Sequence, residues 1–262
     1  MTMLPLLTTS ESNLVHRVFP SPNIEPRFNN LLPQLIILHY TGLETFERSL
    51  EILSRPDCKV SCHYVVDVDG HVVQMVSEQM RAWHAGVSCW KGETDINSVS
   101  IGIEIQNPGH SLGYTDFPSE QMNVVTALCQ DIMMRHSIKP QNVLAHSDVA
   151  PSRKIDPGEK FDWQGLALKG IGVWVPPVLV DTAHVEMAAN FSEEKNIEEI
   201  RRLLSLVGYC VQISGPLDQE LGFVLRAFQL HFRQNLINSR PDLSTLLTLR
   251  KLVKALTVQE SI

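Results

Sequence analysis

The thirteen residues from His146 to Gly158 (H-S-D-V-A-P-S-R-K-I-D-P-G) hold an imidazole at His146, a cation at Lys154 and a carboxylate at Asp156. A strand-like run, Val143-Leu144-Ala145, delivers the histidine, and Pro151 with Pro157-Gly158 punctuates the rest as a shaped, non-helical loop. Imidazole plus carboxylate suits zinc, and a catalytic zinc takes three protein ligands and keeps one position open. The third ligand must come from elsewhere. His39, ending the apolar run Leu35-Ile36-Ile37-Leu38, is the best candidate. His63 in S-C-H-Y and His84 in W-H-A-G compete for the post, although His63 reads better as a core histidine or one that supports a ligand from behind.

A zinc ion held by His39, His146 and Asp156 would acidify water and polarise an amide carbonyl. Amide hydrolysis then needs a base that takes water's proton and passes it to the leaving amine. It also needs a positive group for the tetrahedral oxygen. Ser98–Gln106 alternates Ile101, Ile103 and Ile105 with Gly102, Glu104 and Gln106, so period two puts Glu104 on the face away from the isoleucines. Glu104 is the candidate base, and Lys154, two residues before Asp156, the candidate cation. Singly, each has an ordinary reading: a structural histidine, a solvated strand glutamate, a turn-forming aspartate, a surface lysine.

The elements that must position these groups follow from periodicity. Leu35–Tyr40 reads as a buried strand, and Phe46, Leu50 and Leu53 as one stripe of a helix stopped by Pro56. Tyr64–Val66 and Val72–Val76 read as strands joined through Asp67-Val68-Asp69-Gly70. A helix with Met122, Val125, Cys129 and Ile132 on one stripe starts near Ser119, its expected N-cap. Residues 107–118 form a turn-rich loop that could gate a site. Interleaved strands and helices predict an α/β fold, a central mixed β-sheet flanked by helices. After Pro176-Pro177 the pattern becomes helix alone. Ile197, Ile200, Leu204 and Val207 make one stripe, ended by Gly208; Leu221, Leu225, Phe228 and Phe232 a second, capped at Asp218; Leu246, Leu249, Val253 and Leu256 a third. The expected organisation is an extended lead-in at 1–33, a catalytic domain at 34–178, a linker at 179–195 and a small all-α domain at 196–262.

Composition narrows the function. The formal net charge of −7, from 22 basic and 29 acidic residues, argues against a nucleic-acid binder. No run approaches a membrane span, and the start lacks the features of a signal peptide, so the expectation is a cytoplasmic protein unless an export segment was removed. Five scattered cysteines suit a reducing compartment better than a disulfide framework, and Cys58-x-x-x-Cys62 lacks the second pair of a zinc finger.

His39 after its apolar strand, S-C-H-Y-V-V at 61–66, R-A-W-H-A-G at 81–86, S-I-G-I-E-I at 100–105 and the loop at 146–158 stand in one order. In that order they resemble the zinc-dependent type-2 N-acetylmuramoyl-L-alanine amidases of bacterial cell-wall turnover. The resemblance implies a type-2 amidase, or peptidoglycan-recognition-like, fold. It implies zinc on His39, His146 and Asp156, the roles already given to Glu104 and Lys154, and a substrate contact for His84. Tyr40 and Arg153 are further candidates for binding sugar or peptide, and Trp83 reads as packing. The implied substrate is peptidoglycan or a soluble (anhydro)muropeptide, cut between N-acetylmuramic acid and L-alanine. The C-terminal segment, with I-E-E-I-R-R-L-L-S-L-V-G-Y-C and L-R-A-F-Q-L-H-F, resembles the three-helix peptidoglycan-binding module often fused to wall hydrolases. Two rivals stand beside this reading: a non-catalytic peptidoglycan-recognition protein, and a structural wall-binding protein with a vestigial N-terminal half.

Overall fold

The computed structural model describes residues 6–181, 184, 187–188 and 191–259, so the expected linker at 179–195 lies partly outside the described residues. Eight strands are present among them: β1 (Arg17–Val18), β2 (Ile24–Pro26), β3 (Leu35–Tyr40), β4 (Tyr64–Val66), β5 (Val72–Gln74), β6 (Met80–Ala82), β7 (Ser100–Ile105) and β8 (Val143–Ala145). Six form one sheet in the order β1-β5-β4-β7-β3-β8, and β2 pairs with β6 in a separate antiparallel ribbon. The sheet is mixed: β4 and β5 are antiparallel, while β4, β7, β3 and β8 run parallel. The lead-in is therefore more than a tail, since it supplies the edge strand β1 and the ribbon strand β2.

Alternation on the two central strands gives each sheet face its partner. Ile36 and Leu38 of β3 join Ile101, Ile103 and Ile105 of β7 on one face. There they pack against Val125, Leu128, Cys129 and Ile132 of a long helix, α4 (Ser119–His136), reached after α1 (Phe46–Ser54), α2 (Ile96–Val99) and α3 (Gly109–Leu112). Ser119 is the first helical residue rather than the cap; Pro118 takes the N-cap position, with no side-chain hydrogen bond. Helix α1 is capped as its sequence suggests, the Thr45 side chain accepting from the Arg48 N–H. One turn of helix, α5 (His146–Val149), follows β8 directly, where a non-helical loop was expected, and α6 (Trp163–Leu168) comes next.

The opposite face carries Leu35 and Ile37 of β3 and Leu144 of β8. It is covered by three C-terminal helices, α7 (Glu193–Val207), α8 (Gln219–Phe232) and α9 (Leu243–Gln259). Asp218 caps α8 through the Leu221 N–H, and Gly208 closes α7 at φ 135°, a value that suits glycine. Ile200, Leu204, Leu225, Phe228 and Leu249 are buried in one cluster with those sheet residues. Each such side chain contributes roughly 1.5–3 kcal/mol on burial. Exposed ion pairs such as Arg250–Glu199, worth roughly 0–1 kcal/mol, are minor beside it.

The expectation of reduced cysteines fails for one pair. Cys89 and Cys210 form a disulfide with Cα atoms 5.9 Å apart, although 121 residues separate them in sequence. A bridge between Trp90 and Tyr209 brings the two segments together, and no local spacing announces such a long-range meeting. Cys58, Cys62 and Cys129 are free thiols. Among the described residues no helix is long and apolar enough to cross a membrane.

Candidate metal centre and hydrolytic site

The site lies at the C-terminal edge of the parallel strands, on the face that the C-terminal helices cover further down. Register explains why. His39 of β3 is the Cα partner of Glu104 on β7, and Ala145 of β8 pairs with Leu38, so His146 emerges beside His39. Asp156 returns on the loop after α5, whose Ser147 N–H donates to the Asp156 carbonyl.

Three atoms converge there. His39 Nδ1 and His146 Nδ1 are 2.8 Å apart, and Asp156 Oδ2 lies 3.2 Å from the first and 3.0 Å from the second. All three residues are buried. The hydrogen-bond network assigns the tautomers. His146 Nε2–H donates to the Ala85 carbonyl at 3.1 Å, leaving Nδ1 as a lone pair. On the other side the Ser100 hydroxyl donates to the Ile96 carbonyl at 2.6 Å, so its oxygen accepts from His84 Nε2–H at 3.1 Å. His84 Nδ1 must then accept from His39 Nε2–H at 3.0 Å, and His39 Nδ1 is likewise a lone pair. Three acceptors thus face one another with no proton between them, which is the arrangement a cation resolves.

Electrostatics agrees with that assignment. Burial, followed by the neighbouring His146, pushes the His39 pKa down to about 4, so the ring is neutral at pH 7. Burial and His39 likewise hold His84 well below the usual histidine range. Burial works against the Asp156 carboxylate and positive charge at His146 and His39 works for it; between neutral rings, a cation would supply that charge. Neutral imidazoles and an ionised carboxylate are the protonation states a metal requires.

A cavity of about 440 Å³ opens over these atoms, bordered by Tyr40, His84, Glu104, Arg153 and Lys154 among others. Glu104 Oε2 is buried without a hydrogen-bond partner, and burial, then Asp156, raises its carboxyl pKa well above the usual range, with Lys154 opposing. A carboxyl oxygen buried and unpartnered beside such a donor cluster is a signature of function rather than stability.

Of the remaining candidates, Tyr40, His84 and Arg153 border the cavity, and His63 lies in the core as expected. His84 borders the cavity with both its ring nitrogens engaged, by His39 and Ser100. Arg153 spends Nε and Nη2 on the carbonyls of Val87 and Ala85. It thereby braces the carbonyl that receives the His146 N–H. Tyr40 is half-buried, its hydroxyl 3.2 Å from His110 Nδ1, and burial raises its pKa to about 12. His63 is a core residue: Nδ1 accepts from the Gly102 N–H, and Nε2 lies 3.1 Å from the Met80 carbonyl. Trp83 is partly exposed and donates to Glu25. The loop at 107–118 is clasped to the metal-site loop by Tyr114, whose hydroxyl donates to the Pro157 carbonyl at 2.6 Å.

Residues the sequence left silent include Ser100 and Gly102. A Cβ on Gly102 would come 2.5 Å from the His84 ring, so glycine here is what admits that ring against β7. The alternation Ser100, Gly102, Glu104 was the available signal: three positions on one strand face that orient His84, make room for it and set Glu104 opposite His39.

The family model described as N-acetylmuramoyl-L-alanine amidase matches residues 29–159. The chain is 38% identical to the N-acetylmuramoyl-L-alanine amidase AmiD of Escherichia coli over 224 residues, 81% of this chain and 79% of that protein. A solved complex of AmiD with the substrate anhydro-N-acetylmuramic acid-L-Ala-D-γ-Glu-L-Lys superposes with a TM-score of 0.71 at 35% identity, covering 85% of this chain and 89% of that one. AmpDh3 of Pseudomonas aeruginosa, solved with an anhydromuramic pentapeptide, gives 0.71 at 30% identity over 86% of this chain and 92% of that one. The 1,6-anhydro-N-acetylmuramyl-L-alanine amidase AmpD of Escherichia coli is 34% identical over 164 residues, 56% of this chain and 87% of its own length.

Proposed function

We infer that this chain, which belongs to the N-acetylmuramoyl-L-alanine amidase family, hydrolyses the amide between N-acetylmuramic acid, or its 1,6-anhydro form, and the L-alanine of the peptidoglycan stem peptide. The observation that carries the reading is the meeting of His39 Nδ1, His146 Nδ1 and Asp156 Oδ2 beside the unpartnered Glu104 Oε2. Zinc is the ion this donor set suits, and when bound it lowers the pKa of water and polarises an amide carbonyl. Glu104 takes the proton from the attacking water and returns it to the alanine nitrogen as the carbon–nitrogen bond breaks. Lys154, on the same cavity, balances the negative charge that gathers on the tetrahedral oxygen.

AmiD and AmpDh3 were solved with anhydro-muropeptides, which supports soluble muropeptides as substrates here. The Cys89–Cys210 disulfide supports work in an oxidising compartment such as the periplasm over the cytoplasm expected from the sequence.

The test is hydrolysis of intact sacculi and of a soluble anhydro-muropeptide by zinc-loaded protein, with and without a chelator, read by mass spectrometry. Chelator-sensitive release of free stem peptide is the expected result. Absence of cleavage by protein with stoichiometric zinc would overturn it.

A further inference from the structure

We propose that Tyr209 and His231, both in the C-terminal segment, are positioning residues for the metal ligand His146 and act on it through Asp148. The inference rests on the metal-site reading above and extends it to a part of the chain remote in sequence. Asp148 is the third residue of α5, the turn that begins with His146. Its Oδ2 accepts from the Ala145 N–H at 2.9 Å, which ties the turn back onto the residue just before the ligand. The carboxylate is almost wholly buried. A buried carboxylate is tolerated only when its oxygens are filled with hydrogen bonds, and here the C-terminal segment supplies the remainder. The Tyr209 hydroxyl donates to Oδ1 at 2.6 Å, and His231 Nδ1 lies 2.8 Å from Oδ2.

The direction of the His231 bond follows from its partner. A carboxylate only accepts, so Nδ1 carries the hydrogen. Nε2 is buried without a partner, and the contact with Asp148 is therefore what orients the polar side of this ring. Both donors are themselves held. The His231 ring stacks between Trp163 at 3.8 Å and Phe232 at 4.0 Å, centroid to centroid. Tyr209 sits edge-on to Trp90 at 5.0 Å, and the next residue, Cys210, is covalently joined to Cys89.

His146 is thus fixed twice. Its ring is set by the Ala85 carbonyl, and its backbone by a turn whose carboxylate is completed from the C-terminal segment. Without Tyr209 and His231, Asp148 would keep the Ala145 N–H and two unfilled acceptor positions beside the cavity of about 180 Å³ that all three residues line. The turn would then rearrange to reach water, and His146 Nδ1 would move off the position it shares with His39 and Asp156. Metal sites tolerate displacements of only about 0.5 Å.

The experiment compares Tyr209→Phe, His231→Phe and His231→Asn in the full chain. Readouts are zinc affinity by chelator competition and the visible spectrum of the cobalt-loaded protein. His231→Phe keeps a ring for the stack and loses the donor; His231→Asn loses the ring, while its amide nitrogen can stand where Nδ1 stood. The expected result is zinc affinity weakened about 10–100-fold in Tyr209→Phe and His231→Phe, with altered cobalt bands, and largely recovered in His231→Asn. A role in packing alone predicts the reverse order for the two His231 variants, and that outcome would overturn the proposal. So would wild-type affinity and spectrum in Tyr209→Phe, a change of one oxygen that leaves the fold intact. Wild-type protein that takes up no metal would instead sink the metal-site reading, and this inference with it.

Discussion

His39 Nε2 lies 3.0 Å from His84 Nδ1, and this contact decides which nitrogen of His39 faces the metal site. Replacing His84 by Leu removes the acceptor that fixes the tautomer. Gly102→Ala acts on the same ring from below, because the new methyl would come 2.5 Å from it. Both variants should lose about 10–100-fold in zinc affinity, measured by chelator competition. Unchanged affinity in both would remove His84 from the support of the site.

Glu104→Gln keeps the shape of the base and removes its ability to accept a proton. Turnover of an anhydro-muropeptide should fall about 10²–10⁴-fold while zinc stays at one per chain. Lys154→Met should lower kcat about 10²–10³-fold by the loss of one charge from the transition state. Steady-state kinetics beside metal analysis separates either effect from simple loss of the ion.

Acid should weaken the fold through Glu78, which is buried between β5 and β6. Burial alone would raise its pKa, but hydrogen bonds from His136, Arg135 and Tyr64 outweigh it and hold the group at about 2, below its ordinary 4.5. A depressed carboxyl pKa means stability that is fully present above the unfolded value and lost as pH falls through the folded one. The contribution is about 3 kcal/mol at neutral pH, and it should fade between pH 4.5 and 2. Urea denaturation of wild type and Glu78→Gln across that range checks it: the gap between them should close as the pH drops.

Reducing Cys89–Cys210, or replacing both residues by serine, should lower stability by about 2–4 kcal/mol, since the bond closes a long loop in the unfolded chain. Denaturant midpoints with and without reductant test this. Equal midpoints would show that apolar burial between sheet and helices suffices to hold the two regions together.

The sheet's central strands were legible because their residues obey one period over a sufficient length. Leu35–Leu38 is an unbroken apolar run, and the isoleucines of β7 alternate without a fault. His39, His146 and Asp156 stood out at a strand end or in a loop punctuated by proline, Glu104 by its place opposite the isoleucines, and the set as a whole by the order of its motifs. Short elements carried too little signal: β1, β2 and β6 have two or three residues each, and pairing alone makes them strands. Least visible were partnerships across long separations. Asp148 reads as a loop residue and His231 as a helix residue until folding sets them 2.8 Å apart. The same holds for Cys89 and Cys210. The family resemblance makes His84 a substrate contact, and the fold adds that its ring lies over Gly102.

The pairing of His39 with Glu104 makes the hydrolytic centre a matter of parity. His39 of β3 and Glu104 of β7 lie on the face of Leu35 and Ile37, whereas Ile36, Leu38 and the β7 isoleucines face α4. Inserting one residue near the start of β7 would turn Glu104 into the isoleucine core and put an isoleucine beside His39. Inserting two would restore the face but carry the carboxylate about 7 Å along the strand, out of reach of His39. The connections carry no such constraint of parity, and on the isoleucine face it is volume, more than the identity of each residue, that packing against α4 requires.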